Sequence, residues 1–171
     1  SSSGHLILAQ HILDVNEAGV LLEVILHMGT LAAILLYFYN DLKQLGVDFF
    51  NGDQDARNYV IYLAIATIPA VCAGLILKDI IESTFTLSIV KWMFMITGII
   101  VGSTYFSKNR PKREMVLIIA FCIGIAQSVA LLPGISRSGI TISLALIIGI
   151  QHKEAAKFAF FMAIPVLFGA G

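Results

Sequence analysis

Leu131-Leu132-Pro133-Gly134-Ile135-Ser136-Arg137-Ser138-Gly139-Ile140-Thr141 interrupts an otherwise apolar tract. Residues 115–132 on its N-terminal side are nearly all hydrophobic, and the apolar run resumes through residue 150. A membrane helix does not accept a proline, two glycines and an arginine in one place without a compensating role. An arginine near the bilayer centre costs about 2.5–3.5 kcal/mol on insertion scales, which marks Arg137 as a functional residue. The chain opens on a related string, Ser1-Ser2-Ser3-Gly4-His5, again followed by an apolar run. Two serine-rich loops, each heading an apolar half-helix, suggest one shared site.

Composition gives these loops their setting. Of 171 residues, 58% are hydrophobic and only 13% charged. Soluble domains carry about a quarter charged residues, so the chain reads as an all-α polytopic membrane protein. The formal net charge is zero, with no basic excess to recruit nucleic acid. Cys72 and Cys122 lie in apolar runs and read as small buried hydrophobes, not as a disulfide or a metal pair. The sequence begins inside a motif without an initiator methionine and stops within an apolar run. It is therefore expected to be a single membrane domain truncated at both ends. Residues 1–106 would form most of one repeat, and 107–171 the start of a second.

Residues 18–39, 59–77, 87–106, 115–132 and 155–171 are long enough, or nearly so, to cross about 30 Å of hydrocarbon at 1.5 Å per residue. The runs 6–13 and 140–150 are too short: eleven helical residues rise about 16 Å, half a bilayer. They read as halves of re-entrant hairpins, which are tolerated where protein or a wet cavity surrounds the break. Lys108, Arg110, Lys112 and Arg113 place the segment 107–114 in the cytoplasm. The loop 78–86 then lies outside, the loop 40–58 inside, and residues 1–16 outside. Three spans separate the two serine-rich loops, so the loops enter from opposite faces. The expected architecture is an inverted-topology repeat with two re-entrant helix hairpins meeting near the bilayer midplane. Gly98 and Gly102 form a small-xxx-small pair suited to helix packing. Trp92 and Tyr105 suit the interfacial belts, and Pro69 and Pro165 are expected to kink their helices.

The two loops carry a defined chemistry. A helix N-terminus offers unpaired N–H groups and the positive end of the dipole, which together bind anions and phosphate above all. Ser136 and Ser138 are placed to cap one half-helix, and Ser2 and Ser3 the other. Arg137 adds a planar fork suited to phosphate oxygens, and Thr141, one turn on, adds a hydroxyl. Ser2 and His5 are three residues apart, so a candidate nucleophile and base can share a face if the helix begins between them. Glu23 and His27, at i and i+4, either line the site or sit exposed at the interface. Gln127 either lines it or satisfies backbone groups freed by the break. A phosphatase acting on an isoprenoid pyrophosphate needs a hydroxyl nucleophile. A transporter or flippase of a phosphorylated lipid or small anion needs only the anion grip, and a non-catalytic scaffold needs neither.

The string from Gln127 to Thr141 resembles the second motif of the undecaprenyl pyrophosphate phosphatase family, the bacitracin-resistance phosphatases of bacterial envelopes. Ser1-Ser2-Ser3-Gly4-His5 resembles the end of that family's first motif. Leu22-Glu23-Val24-Ile25-Leu26-His27-Met28-Gly29-Thr30-Leu31-Ala32 resembles its first spanning helix. The resemblance implies hydrolysis of undecaprenyl pyrophosphate at the outer leaflet of the bacterial inner membrane. The product is the monophosphate carrier reused in peptidoglycan synthesis. The resemblance also implies Ser2 as nucleophile, His5 as its proton-handling neighbour and Arg137 on the pyrophosphate. Ser1, Ser3, Ser136, Ser138, Gly139 and Thr141 would complete the phosphate-binding set. A divalent cation, magnesium or calcium, would belong to a glutamate pair just upstream of the serine string, outside this sequence. Ser3 stands where the family usually has threonine.

Overall fold

The computed structural model describes residues 2–13, 19–84, 86–107 and 110–169. All regular structure among these residues is helical. The helices are α1 (Ser2–Leu13), α2 (Gly19–Tyr37), α3 (Tyr39–Phe50), α4 (Gln54–Ile76), α5 (Lys78–Ser83), α6 (Leu87–Ser103), α7 (Leu117–Val129), α8 (Arg137–Ile148) and α9 (His152–Gly169). A 3₁₀ turn at Thr104–Ser107 prolongs α6.

α4 is the longest helix, with 23 residues, a rise of about 34 Å that exceeds the hydrocarbon thickness. The Asp53 carboxylate caps its start by accepting the Ala56 N–H at 2.8 Å. Pro69 lies inside it. α4 and the unit Leu87–Ser107 are the two described helices long and apolar enough to cross a membrane. α2 does not end in a loop. Its stretch from Val24 continues through a 69° bend into α3, which occupies much of what the sequence presents as the polar loop 40–58. Leu42, Leu45 and Phe49 recur at helical spacing among polar neighbours, so α3 is an amphipathic helix and its polar content alone is a poor guide.

α7 and α8 form the second re-entrant hairpin. α7 has 13 residues and α8 has 12, rises of roughly 18–20 Å that stop short of a full crossing. The run 115–132 is thus not one span. Its helix stops at Val129, and residues 130–136 turn the chain back, because Pro133 cannot continue a helix and disfavours helical geometry at the residue before it. The two open ends of the hairpin lie on one face: the Arg113 N–H donates to the Gly149 carbonyl at 3.0 Å. Gly149 closes α8 in the left-handed region, with φ +112°. The Ile150 and Gly149 N–H groups return to Ala145 and Leu146, a Schellman closure. A side chain at Gly149 would run into the Pro111 carbonyl.

The same face carries the start of α9, where Lys157 Nζ meets Asp41 Oδ1 of α3 at 2.7 Å. The Lys157 ammonium holds the Asp41 carboxyl below the usual carboxylate range. Arg110, Lys112 and Arg113 therefore share a face with the end of α8 and the starts of α3 and α9.

α4 and α7 run parallel in the closest packing of the molecule. Gly124 abuts Ala66, where an added Cβ would stand 2.5 Å from the Ala66 carbonyl oxygen, and two turns on Gly74 meets Leu131. Small residues bring backbones together where lipid removes any hydrophobic drive. Ala66, Ile119, Ala120, Ile123, Ala145, Ile150, Ala155, Phe158 and Met162 form the core around this contact. Large apolar side chains such as Leu36, Leu75, Ile99 and Phe106 are exposed instead, as expected of a surface solvated by lipid.

Three further expectations are corrected. Cys72 is exposed rather than buried. It lines an apolar groove of about 570 Å³ between α3, α4 and α9. A side chain at Gly98 or Gly102 would meet nothing within 4 Å, so their small-residue face packs no described helix. The C-terminal run is an 18-residue helix whose first turns carry Lys153, Glu154 and Lys157.

Candidate active site

The tip of the second hairpin is fixed by backbone chemistry. Gly134 has φ +96°, and a Cβ there would stand 2.8 Å from both the Val90 carbonyl oxygen and Met93 Cβ of α6. Only glycine fits this conformation and this approach. Ser136 is extended and caps α8, its Oγ accepting the Gly139 N–H at 3.1 Å. A side chain at Gly139 would stand 2.8 Å from Ser136 Cβ. With Gly139 capped, the N–H groups of Arg137 and Ser138 have no helical carbonyl to reach and face the tip.

Arg137 is the first residue of α8 and is half-buried. Among the described residues it has no carboxylate partner. A guanidinium at the positive end of a helix dipole is electrostatically unfavourable until an anion arrives. Ser138 is exposed beside it. Thr141 is placed differently from its expected role. It is buried, and its hydroxyl donates to the Arg137 carbonyl at 2.8 Å, so its proton is committed to its own helix.

The start of α1 reaches this tip. Gly4 is buried, and a Cβ on it would stand 2.9 Å from both Gly134 Cα and Phe94 Cζ. Two backbones 130 residues apart in sequence are therefore in contact. The His5 ring packs on Phe94 with centroids 4.9 Å apart. Ser2 and Ser3 form the first turn of α1, while their side chains, that of Glu23, and all of Ser1 lie outside the described residues. His27 is half-buried on α2, a helix that packs on α9 and α3 rather than on the α7–α8 turn. Gln127 is buried on the α7 face that carries Gly124, and neither amide atom has a partner among the described residues.

One helix holds both tips. Val90, Met93, Phe94, Thr97 and Val101 share a face of α6 and touch, between them, Gly134, Gly4, His5, Ser136 and Gly139. Gly134 lies level with residues four to eleven of α6, roughly 5–15 Å along it from the end remote from the basic face. Sequence reasoning missed Phe94 and Thr97. The available signal was a lone hydroxyl in the apolar middle of the span, Thr97 within residues 89–102, and nothing in the pattern said which way it pointed.

The described residues do not fit the expected divalent cation: no three His, Cys, Asp or Glu side chains gather closely enough to hold one. The arrangement can grip an anion between the amide groups of one helix start and an unpaired guanidinium, with a second helix start against it.

The chain is similar along its whole length to proteins of one family. The family model described as bacitracin resistance protein BacA matches residues 1–171. The undecaprenyl-diphosphatase of Syntrophotalea carbinolica is 41% identical over 180 residues, covering 99% of this chain and 67% of that protein. That of Campylobacter concisus is 40% identical, covering 100% and 67%, and that of Geotalea daltonii 37% identical, covering 99% and 67%. A polytopic helical chain matched from end to end by this family model belongs to the bacitracin resistance protein BacA family.

Proposed function

We propose that this protein is an integral membrane phosphatase that hydrolyses undecaprenyl pyrophosphate to undecaprenyl phosphate and inorganic phosphate. The product is the lipid carrier reused in peptidoglycan synthesis, and its regeneration confers bacitracin resistance. The observation that carries this reading is the contact of Gly4 with Gly134, which sets the serine-bearing start of α1 beside the arginine-bearing start of α8. The three relatives named above carry a hydrolase's name, which favours phosphate removal over transport.

In this mechanism Arg137 and the N–H groups of Arg137 and Ser138 hold the pyrophosphate oxygens. Ser2 Oγ attacks the terminal phosphorus as its proton passes to His5. The O–P bond forms while the anhydride P–O bond breaks, and the electron pair leaves on undecaprenyl phosphate. Water then attacks the phosphoserine, releasing inorganic phosphate and restoring the hydroxyl. Positioning and fixed positive charge supply most of the rate in phosphoryl transfer, and the tip supplies both without reorganisation. The basic face of Arg110, Lys112 and Arg113 would lie in the cytoplasm, which directs the tips toward the periplasmic side of the inner membrane, where the lipid pyrophosphate is taken up.

The test is inorganic phosphate release from undecaprenyl pyrophosphate by the intact protein in detergent. Ser2→Ala is expected to abolish release while lipid binding survives. Near-normal release by that variant removes Ser2 as the nucleophile.

A further inference from the structure

A threonine inside a membrane helix commonly gives its hydroxyl proton to the carbonyl four residues back. Thr30 does so with Leu26 at 2.9 Å and Thr67 with Leu63 at 2.8 Å. Thr97 of α6 does not. Its O–H donates to the Gly134 carbonyl at 3.2 Å, and its oxygen accepts the Ser136 N–H at 3.2 Å. Both bonds cross from α6 to the turn immediately before Arg137. At membrane depth, where water is scarce, each would otherwise leave a polar backbone group without a partner.

We propose that Thr97 is a positioning residue of the phosphate grip. One hydroxyl, used as donor and acceptor together, fixes the carbonyl of residue 134 and the amide of residue 136. That pins the turn so that Ser136 caps α8 and Arg137 enters the helix at a set place. The assignment rests on the phosphatase reading for its effect on turnover, and on geometry alone for its effect on anion binding. Val101 packs beside Gly139 one turn further along α6, so the helix itself stays in place when the hydroxyl is removed. Thr97 touches no substrate; it acts through Arg137 and the two free amide groups. Misplacing such a grip by about 1 Å lowers turnover on the order of 100-fold.

The test compares Thr97→Val and Thr97→Ser in the intact protein, with Thr97→Ala taking the place of valine if that variant fails to insert. Two quantities are read: kcat and KM for phosphate release from undecaprenyl pyrophosphate, and the affinity for inorganic pyrophosphate by calorimetry. Loss of the hydroxyl is expected to raise KM and weaken pyrophosphate binding by similar factors, about 10–100-fold, with serine recovering most of the loss. Amide exchange at residues 134–138 should rise in the valine variant while α6 stays protected. Unchanged KM and pyrophosphate affinity in the valine variant overturns the proposal, as does an equal defect in valine and serine, which would assign the effect to packing. If the wild-type protein binds pyrophosphate but releases no phosphate from the lipid, the phosphatase reading fails and the binding series still decides the role of Thr97. If it binds no pyrophosphate, both fall.

Discussion

The two helix starts that meet at Gly4 and Gly134 are built to different standards. α8 begins on an extended serine cap, is clamped by Thr97 at Gly134 and Ser136 just before its first turn, and closes on a Schellman glycine bonded to Arg113. α1 meets the α8 turn where Gly4 lies against Gly134, and meets α6 where the His5 ring lies on Phe94. The difference separates binding from chemistry. The half that grips an anion must be rigid before the anion arrives, because its force comes from fixed dipoles. The half that delivers a nucleophile needs only to be brought within reach. A break in the backbone of the turn before α8 should therefore remove fold and function together, and a break at the start of α1 should remove function alone.

The largest effect is expected at Gly134. Alanine there meets Val90 and Met93 at 2.8 Å in a backbone region that L-residues avoid, with φ +96°. Strain of this kind costs about 1–3 kcal/mol before the clash is added. The clash is with α6 backbone, which cannot yield without moving the helix that registers both tips. Gly134→Ala should lower both the thermal unfolding midpoint and phosphate release, the latter by at least about 100-fold. A variant with normal stability and normal turnover would show that the turn has a second conformation available and is not rigid.

Arg137→Lys comes next and touches function without touching the fold. Lysine keeps the charge but loses the planar fork. Charge-assisted hydrogen bonds of this type contribute about 1.5–3 kcal/mol, so release should fall about 10–100-fold, with KM rising as kcat falls. Because the residue is half-buried at a helix start, the unfolding midpoint should stay within a degree or two of wild type, the range expected for surface-like substitutions of well under about 1 kcal/mol. Full activity in the lysine variant would mean that point charge suffices and that the fork geometry is irrelevant.

The contrast between the tips was only partly visible in the sequence. The break at Pro133–Gly139 announced itself because its residues are intolerable in a helix, and the short runs beside it could not span. The grouping of Arg110, Lys112 and Arg113 on one face followed from charge alone. What stayed hidden was direction. Gly98, Gly102, Thr97 and Phe94 sit in one apolar span, and lipid is as apolar as a protein core, so hydropathy does not say which of them faces a neighbour. In the fold the glycines face away, and the threonine and phenylalanine face the site. The same blindness placed Cys72 inside when it lies on the surface of a groove. α3 was hidden for another reason: an amphipathic helix in a polar loop differs from the loop only in the spacing of Leu42, Leu45 and Phe49.

Gly4→Ala is the smallest change and the sharpest test of the asymmetry. The added methyl would stand 2.9 Å from Gly134 Cα and from Phe94 Cζ, so one side must move. The clamped turn resists through Thr97 and the Ser136 cap, so α1 is expected to give way. Alanine in place of glycine within a helix favours that helix by about 1 kcal/mol, which offsets the lost contact. The unfolding midpoint is therefore expected to hold while kcat falls about tenfold, as a displacement well under 1 Å of the nucleophile's helix would produce. KM and pyrophosphate affinity should not change, because Arg137 and its amide neighbours are untouched. If instead KM rises and kcat holds, the turn rather than α1 has yielded, and the binding half is the softer of the two.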